Sequence, residues 1–472
     1  MCCPRPRGGR EGSDTQERDK ANSKSKMKVG ESIMKYVKSV ILLFLYAVFV
    51  VTSALGQDMN VTEKVLPNGL KVLLKEEHKA PVITFQIWYK VGSRNEKLGT
   101  TGISHMLEHM MFKGTKKYGP KTFSQTVMRN GGDDNAFTGK DYTAYFENFA
   151  ADRIGIALDL ESDRMQNLLI DPKEFISERE VVKEERRMRT DDDPTSTMVE
   201  EMTAAAFIAH PYEWPVIGWM ADINNITRDD LYNHYHTYYA PNNATIVVAG
   251  DFDTKTLLPQ IEKYFGPIPR GPDVPRVAAV EPKQLGERRI IVKKQAELPA
   301  VFAGYHTPDL KDKDSYALEV LQGILSSGKS SRLYKSLVYE KQLAIYAGGD
   351  YDNISNDPNL FYVYAGVMPG KTTEEVEKAL YTEIEKLKTT PVADEELQKA
   401  KNQIEAGFIM GQDSVFYQAM LLGEYESVAN RKLLEKYLEN IHAVTKEDIQ
   451  RVAKDYFSED NRTVGILVPT KN

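Results

Sequence analysis

The chain has 472 residues, 41% of them hydrophobic and 27% charged, a composition typical of a folded protein rather than a disordered one. The formal net charge of -7 argues against a nucleic-acid partner bound through a broad basic face. The two cysteines are Cys2 and Cys3, which excludes a disulfide framework and a cysteine zinc site, so His, Asp, Glu, Ser, Thr or Lys must carry any chemistry.

The N-terminus has the pattern of a targeting segment. Residues 1–56 carry ten Lys/Arg and five Asp/Glu, whereas the remainder carries 51 and 63. Lys35 and Lys38 precede an unbroken apolar run at Val40–Val51, and small residues follow before Gln57. This order predicts a secretory signal peptide with a mature start near Gln57, and hence a periplasmic or secreted bacterial protein. The alternative is an uncleaved signal that anchors the chain in a membrane.

The segment after the signal mixes strands and helices. The apolar periodicity and the turn residues set the boundaries of these elements. In chain order they are a strand at 82–91, a helix at 102–112, a helix at 122–130, hairpin strands at 134–138 and 142–149, and long helices at 151–168 and 172–190.

The first of these helices carries the strongest chemical signal. His105 and His109 are four residues apart, so they project from one face of the helix, where two neutral imidazoles can bind one Zn²⁺. Glu108 lies on the same turn and can accept a proton from an activated water. This H-x-x-E-H order is the inverted form of the commoner zinc motif. The alternative of two surface histidines is disfavoured, because the helix is apolar nearly all round and such groups are costly to bury without a partner.

A third ligand is expected on the glutamate-rich helix at 172–190. A catalytic zinc site usually has three protein ligands and a water. Glu178 and Glu185 are seven residues apart and fall on the same side of the helix, so one could bind metal while the other orients a histidine. Periodicity alone does not choose among the glutamates, and a solvated charged face is the alternative.

A duplication is visible at a fixed offset of 218 residues. The segment 223–231 resembles 441–449, and the similarity continues without a gap to residues 246 and 464. Each copy reads as an N-capping Thr, an acidic first turn, an amphipathic helix, a polar turn and a buried strand. A repeat of this size predicts two homologous halves.

A proline-rich segment separates the halves. Residues 266–275 hold four prolines and two glycines, which excludes a helix or a central strand. We place the linker at 266–288, between a zinc-bearing half at 57–265 and a homologous half without zinc at 289–472. The second half is predicted to contain a strand at 299–306, a helix at 314–326 and a strand at 361–367. Both halves therefore predict an α+β fold of mainly antiparallel sheets covered by helices.

Four segments together resemble one protein family. They are H-M-L-E-H at 105–109, E-R-E-V-V-K-E-E at 178–185, H-P-Y-E-W-P-V-I-G-W at 210–219 and A-P-N-N-A-T-I-V-V-A-G-D at 240–251. The sequence resembles the pitrilysin/insulinase/mitochondrial-processing-peptidase family of zinc metallopeptidases through residues 60–470. The resemblance implies His105, His109 and Glu185 as ligands, and one zinc per chain is expected because the second half has no H-x-x-E-H. It also implies Glu108 as general base and Glu178 as the glutamate that supports the site.

The resemblance further implies a mode of substrate binding. In that family an edge strand of the zinc half pairs with the peptide backbone. The matching segment is 134–138, where Asn135 and Ala136 would contact the substrate near the scissile bond. The alternative is an ordinary hairpin strand.

The second half departs from the family pattern. Large single-chain members carry an Arg and a Tyr there, but Leu360 stands near the Arg position and Lys371 near the Tyr position. Arg332 and Tyr339 have a similar spacing but fall on the preceding predicted helix. We therefore expect a homodimer, or a heterodimer with a related chain that supplies the Arg and Tyr.

The sequence thus predicts a zinc-dependent endopeptidase that cleaves peptides or unfolded segments between two clam-like halves. One alternative is a non-catalytic scaffold or assembly subunit of the same fold, which would have no need of Glu108. Another is an organellar presequence-processing peptidase, which the signal-type N-terminus disfavours.

Overall fold

The computed structural model describes residues 60–470. The predicted signal peptide lies outside this range. The strands of the described part are β1 Val61–Val65, β2 Lys71–Glu76, β3 Val82–Tyr89, β4 Asp133–Thr138, β5 Thr143–Ala150, β6 Ala244–Gly250, β7 Arg288–Gln295, β8 Ala300–Thr307, β9 Ala344–Tyr351, β10 Asn359–Val367 and β11 Arg462–Thr470.

The α-helices fall between these strands, and a π-helical turn at Arg187–Asp191 continues the fourth of them. They are α1 Ile103–Met110, α2 Thr122–Arg129, α3 Ile154–Asn167, α4 Pro172–Arg186, α5 Pro194–Ala206, α6 Met220–Asn225, α7 Arg228–Tyr238, α8 Thr254–Phe265, α9 Asp314–Ser326, α10 Thr373–Thr389, α11 Asp394–Gly411, α12 Val415–Val428, α13 Lys432–Glu435, α14 Tyr437–Ala443 and α15 Lys446–Tyr456. Within the described range, no helix is both long and apolar enough to cross a membrane.

The strands form two sheets of related topology. The first has the order β1-β2-β6-β3-β5-β4 and the second the order β7-β11-β8-β10-β9. Without β1, both follow one scheme: first strand, last, second, fourth, third. In each sheet the first strand runs parallel to the last, and the other neighbours are antiparallel. The α+β prediction with mainly antiparallel sheets is confirmed.

The repeat of 218 residues is present in three dimensions. Helix α7 begins at Arg228 and α15 at Lys446, and strands β6 and β11 begin at Ala244 and Arg462, so both pairs keep the offset. Both helices start with the same reciprocal cap, formed by Thr227 with Asp230 and by Thr445 with Asp448. The two halves are therefore structural copies.

The halves exchange one helix each. Helix α5, from the first half of the sequence, packs on β7, β8 and β11, whereas α12, from the second half, packs on β3 and β6. Gly423 of α12 lies directly against the buried ring of Trp88 in β3, and Gly465 of β11 lies against Met198 of α5. One face of each sheet is thus covered by a helix from the other half of the chain.

The segment between the halves has neither helix nor strand from residue 269 to 287, yet it is held in place. The carboxylate of Glu281 accepts hydrogen bonds from the backbone N–H groups of Ile208, Ala209 and His210. The side-chain amide of Gln284 donates to the carbonyl of Arg462 at 2.7 Å. The boundaries of the two halves stay a prediction.

Candidate metal centre

The start of α1 is fixed by a buried carboxylate. Gly102 precedes the helix with φ of 87°, and a Cβ there would come within 2.3 Å of the carbonyl oxygen of Ile217. The carboxylate of Glu96 accepts from the backbone N–H groups of Gly102 at 2.7 Å and Ser104 at 2.8 Å. Burial raises the pKa of Glu96 to about 8, while these two N–H donors favour its ionised form. These contacts set the rotation of the helix and hence the direction of its histidines.

His105, His109 and Glu185 come together in space. Each offers one ligand atom, and the three atoms lie within 4.8 Å of one another. Oε2 of Glu185 is 3.3 Å from Nε2 of His109 and 3.8 Å from Nε2 of His105. Tetrahedral zinc with bonds of about 2.0–2.2 Å requires ligand atoms about 3.3–3.6 Å apart. The separation of Glu185 from His109 meets this requirement and that from His105 exceeds it slightly, so small side-chain rotations would bring the three atoms onto one zinc ion.

The structure shows that Glu185, and not its neighbour Glu184, faces the two histidines. The other oxygen of Glu185, Oε1, forms an ion pair with the guanidinium of Arg189 at 2.9 Å. Glu184 has an exposed side chain that pairs with Arg187 at 2.8 Å, outside the cluster. Arg189 had no sequence signal, because its partner is recognisable only once Glu185 is known to face the histidines.

Glu178 supports the cluster from α4. Its Oε1 lies 2.8 Å from Nδ1 of His109, and its Oε2 lies 2.5 Å from Nζ of Lys113. Burial would raise the pKa of Glu178, but the hydrogen bonds to His109 and Lys113 outweigh burial and lower it. Glu178 therefore stays ionised and orients the imidazole of His109, so that its Nε2 faces Glu185.

The two histidines differ in their surroundings. Burial would lower the pKa of His109, but the carboxylates of Glu178 and Glu185 raise it to about 9. Burial, followed by the nearby charge of His109, lowers the pKa of His105. Nδ1 of His105 is buried without a hydrogen-bond partner. Two imidazoles, of which His105 favours the neutral form that binds metal, and a carboxylate make up the donor set of a zinc site.

Glu108 faces the same space. Burial raises the pKa of its carboxyl. The hydroxyl of Thr138, at the end of β4, donates to Oε2 of Glu108 at 2.5 Å. Thr138 thus holds one oxygen of Glu108, and burial favours the protonated form of the carboxyl group. Both properties suit a residue that accepts a proton. Thr138 lies within the predicted hairpin strand, but its contact with the helix had no local signal.

A cavity of about 670 Å³ opens in front of these groups and is lined by all seven predicted site residues. Asn135 and Ala136 lie on β4, the edge strand of the first sheet. Asn135 is exposed, and its side-chain oxygen accepts from the backbone N–H of Ala136 at 2.9 Å. An edge strand of this kind can pair with an extended peptide.

Among the described residues, the second half contributes none to the lining of this cavity. Arg332 is bound by both carboxylate oxygens of Glu396, at 2.8 and 2.7 Å. Tyr339 is 74% exposed, Leu360 is buried, and Lys371 is exposed in a turn. The Arg and Tyr expected from the family pattern are therefore not supplied by these positions.

Comparisons with known proteins agree with this geometry. The family model described as Insulinase (Peptidase family M16) matches residues 71–218, and that described as Peptidase M16 inactive domain matches residues 225–404. The zinc protease PqqE of Helicobacter pylori is 36% identical over 92% of this chain and 98% of its own length. The uncharacterized zinc protease YmxG of Bacillus subtilis is 26% identical over 86% of this chain and 97% of its own.

Solved structures show the same fold. A crystal structure of a protease from Helicobacter pylori has a TM-score of 0.85 at 36% identity and covers 87% of this chain and 99% of that chain. A putative M16-like peptidase from Alicyclobacillus acidocaldarius has a TM-score of 0.76 at 18% identity, covering 88% of this chain and 99% of that chain.

Proposed function

Since the chain belongs to the insulinase family of peptidases, family M16, we propose that it is a zinc-dependent endopeptidase acting on peptides or unfolded polypeptide segments. The observation that carries the proposal is the convergence of His105, His109 and Glu185 on one point, with Glu108 in the same cavity. The names of its relatives, which are zinc proteases, support zinc as the metal. One zinc per chain is proposed, because the described residues contain a single cluster of this kind.

Bound zinc supplies Lewis-acid polarisation of a water molecule and of the scissile carbonyl group. Glu108 takes a proton from the attacking water and returns it to the leaving amine nitrogen. The hydroxyl of Thr138 holds one oxygen of Glu108, which leaves the other free for the proton. Glu178 keeps Nδ1 of His109 engaged, so that Nε2 remains available as a ligand atom.

We further propose that the substrate binds as an added strand along β4. The support is that β4 is a sheet edge and that it borders the cavity through Asn135 and Ala136. The side chain of Asn135 now accepts from the N–H of Ala136, so it would have to release that group or share it with a substrate carbonyl. Main-chain pairing of this kind tolerates many sequences, which suits unfolded substrates.

We propose that a second chain, either a copy of this one or a related chain with the family's Arg and Tyr, completes the site. The support is the absence of any second-half residue among the described residues that line the cavity. Export of the protein to the periplasm or cell exterior is also proposed, on the strength of the apolar run at Val40–Val51 and its flanks.

The test is metal analysis together with a peptide-cleavage assay on the purified chain, alone and mixed with candidate partners. We expect one zinc per chain and cleavage that a chelator abolishes. Glu108→Gln should lower kcat by at least about 10²-fold, because general acid–base catalysis contributes about 10²–10⁴-fold, while zinc stays bound. Full activity in this variant contradicts the role of Glu108. A zinc-loaded chain that cleaves nothing with any partner favours the scaffold alternative.

A further inference from the structure

The turn between β4 and β5, residues 139–142, is partly buried where the two halves meet, and its Asp141 is buried. The rings of Phe137 and Tyr142 pack edge-on against Trp88 of β3, at the margin of a core cluster to which both halves contribute. Nζ of Lys140 lies 3.3 Å from the carbonyl oxygen of Tyr212 and over the ring of that tyrosine. The tip of the substrate hairpin is thus enclosed by other elements, unlike an ordinary exposed hairpin turn.

A closed set of hydrogen bonds joins this turn to the second half. The hydroxyl of Tyr212, which is fully buried, donates to Oδ2 of Asp141 at 2.6 Å. The same hydroxyl accepts from the backbone N–H groups of Asn356 and Asp357, both at 3.2 Å. Oδ2 of Asp141 also accepts from the N–H of Asn356 at 3.1 Å. The phenol oxygen of Tyr212 therefore donates one hydrogen bond to the first half and accepts two from the second.

Ion pairs reinforce the same junction. Nε of Arg94 donates to Oδ2 of Asp357 at 2.5 Å, and Nε2 of His210 lies 3.1 Å from the same oxygen. The backbone N–H of Arg94 donates to the carbonyl of Lys140 at 2.9 Å. The loop 352–358 of the second half and the hairpin turn of the first are therefore fixed to each other.

The turn lies next to a residue that contacts the proposed general base. Thr138 directly precedes it and donates to Glu108. Thr143 directly follows it and donates to the carbonyl of Val91 at 2.9 Å. A shift of the turn would move Thr138 relative to α1, and it would move the edge of β4 that carries Asn135 and Ala136.

We propose that Asp141 and Tyr212 form a latch through which the second half, which supplies no group to the cavity lining, positions β4 and Thr138 for the reaction. Tyr212 is then a positioning residue that acts through Thr138 on Glu108. The catalytic part of this inference rests on the proposed function. The structural part, that the latch holds β4 in place, does not depend on activity.

The experiment compares Tyr212→Phe with Tyr456→Phe in the full chain. The control removes the same kind of bond, from a tyrosine hydroxyl to Oδ2 of Asp314 at 3.0 Å, but within the second half. For Tyr212→Phe we expect about tenfold faster hydrogen exchange in residues 133–138, about tenfold lower kcat, a KM within about twofold of wild type and unchanged zinc content. Tyr456→Phe should change none of these, although it lowers the melting temperature.

A double variant with Thr138 distinguishes a positioning role of Tyr212 from an effect on overall stability. In a Thr138→Val background, Tyr212→Phe should lower kcat no further, because the contact it serves is already gone. If Tyr212→Phe fails to fold, Asp357→Asn, at a partly exposed position, should reproduce the faster exchange. Exchange and kcat that match those of Tyr456→Phe overturn the latch. If the wild-type chain cleaves no peptide, the proposed function fails, whereas the exchange comparison still decides the latch.

Discussion

The two carboxylate oxygens of Glu185 have different neighbours. Oε2 faces both imidazoles, whereas Oε1 forms an ion pair with Arg189 at 2.9 Å. The guanidinium therefore attracts that oxygen and favours the ionised form of the carboxylate. Burial acts the other way, but hydrogen bonding to His109 is the largest effect, and the pKa of Glu185 is lowered overall. A residue that orients a metal ligand in this way affects metal affinity without touching the metal.

Arg189→Ala should weaken zinc binding about tenfold, since loss of a group that orients a metal ligand typically costs about 10–100-fold. The measurement is competition with a chelator of known affinity. Arg187→Ala is the matched control, because that arginine pairs with the exposed Glu184, away from the cluster. Equal affinities of the two variants would contradict the role of Arg189.

Residues close in sequence could be assigned from the sequence, and distant contacts could not. The pair His105 and His109 follows from helix geometry, and Glu178 and Glu185 share a face because seven residues make two turns. Periodicity did not choose between Glu185 and Glu184; the family resemblance implied Glu185, and the rotation of α4 against α1 supplies the physical reason. Thr138 reaches Glu108 across 30 residues, from a strand to a helix, so no periodicity could indicate it.

At the scale of elements, predicted and observed bounds agree best where the apolar periodicity and the residues that begin or end an element coincide. The helix predicted at 314–326 has those bounds in the structure, and the strand predicted at 82–91 ends at Tyr89. The helix predicted at 172–190 ends as an α-helix at Arg186 and continues as a π-helical turn to Asp191. That turn carries Arg189, so the departure from regular geometry falls beside the metal cluster.

The exchanged helix α12 depends on a close approach that glycine allows. A Cβ at Gly423 would lie 2.1 Å from the ring of Trp88, which is fully buried and cannot move aside. Gly423→Ala should therefore destabilise the fold by about 1–3 kcal/mol. Gly407→Ala is the control, because it also lies in a helix but its Cβ would meet no atom within 4 Å. We expect that change to stabilise by about 0.5–1 kcal/mol.

The measurement is urea unfolding followed by circular dichroism, with stability read from the midpoint and slope. A destabilisation confined to Gly423→Ala supports tight packing of α12 on the first sheet. If both variants gain stability, the ring of Trp88 has room to move and the close contact is not essential.

At the scale of the whole molecule, the duplication could be read from the sequence but the exchange of helices could not. The offset of 218 residues is a local similarity between two segments. The exchange depends on which sheet α5 and α12 pack against, and these contacts lie far apart in the sequence. Because one face of each sheet is covered by a helix from the other half, the halves are expected to depend on each other.

The full chain should therefore unfold in one cooperative transition, and the first half alone, residues 57–288, should not fold stably. Without α12, the first sheet would expose Trp88 and Val247, which are fully buried in the intact chain. Exposed apolar surface of this kind promotes aggregation rather than a folded half. Differential scanning calorimetry tests the first point, through equal calorimetric and van't Hoff enthalpies. A soluble, folded and zinc-binding fragment 57–288 would contradict the second, and co-expression with residues 289–472 should restore folding if the helix exchange is the reason.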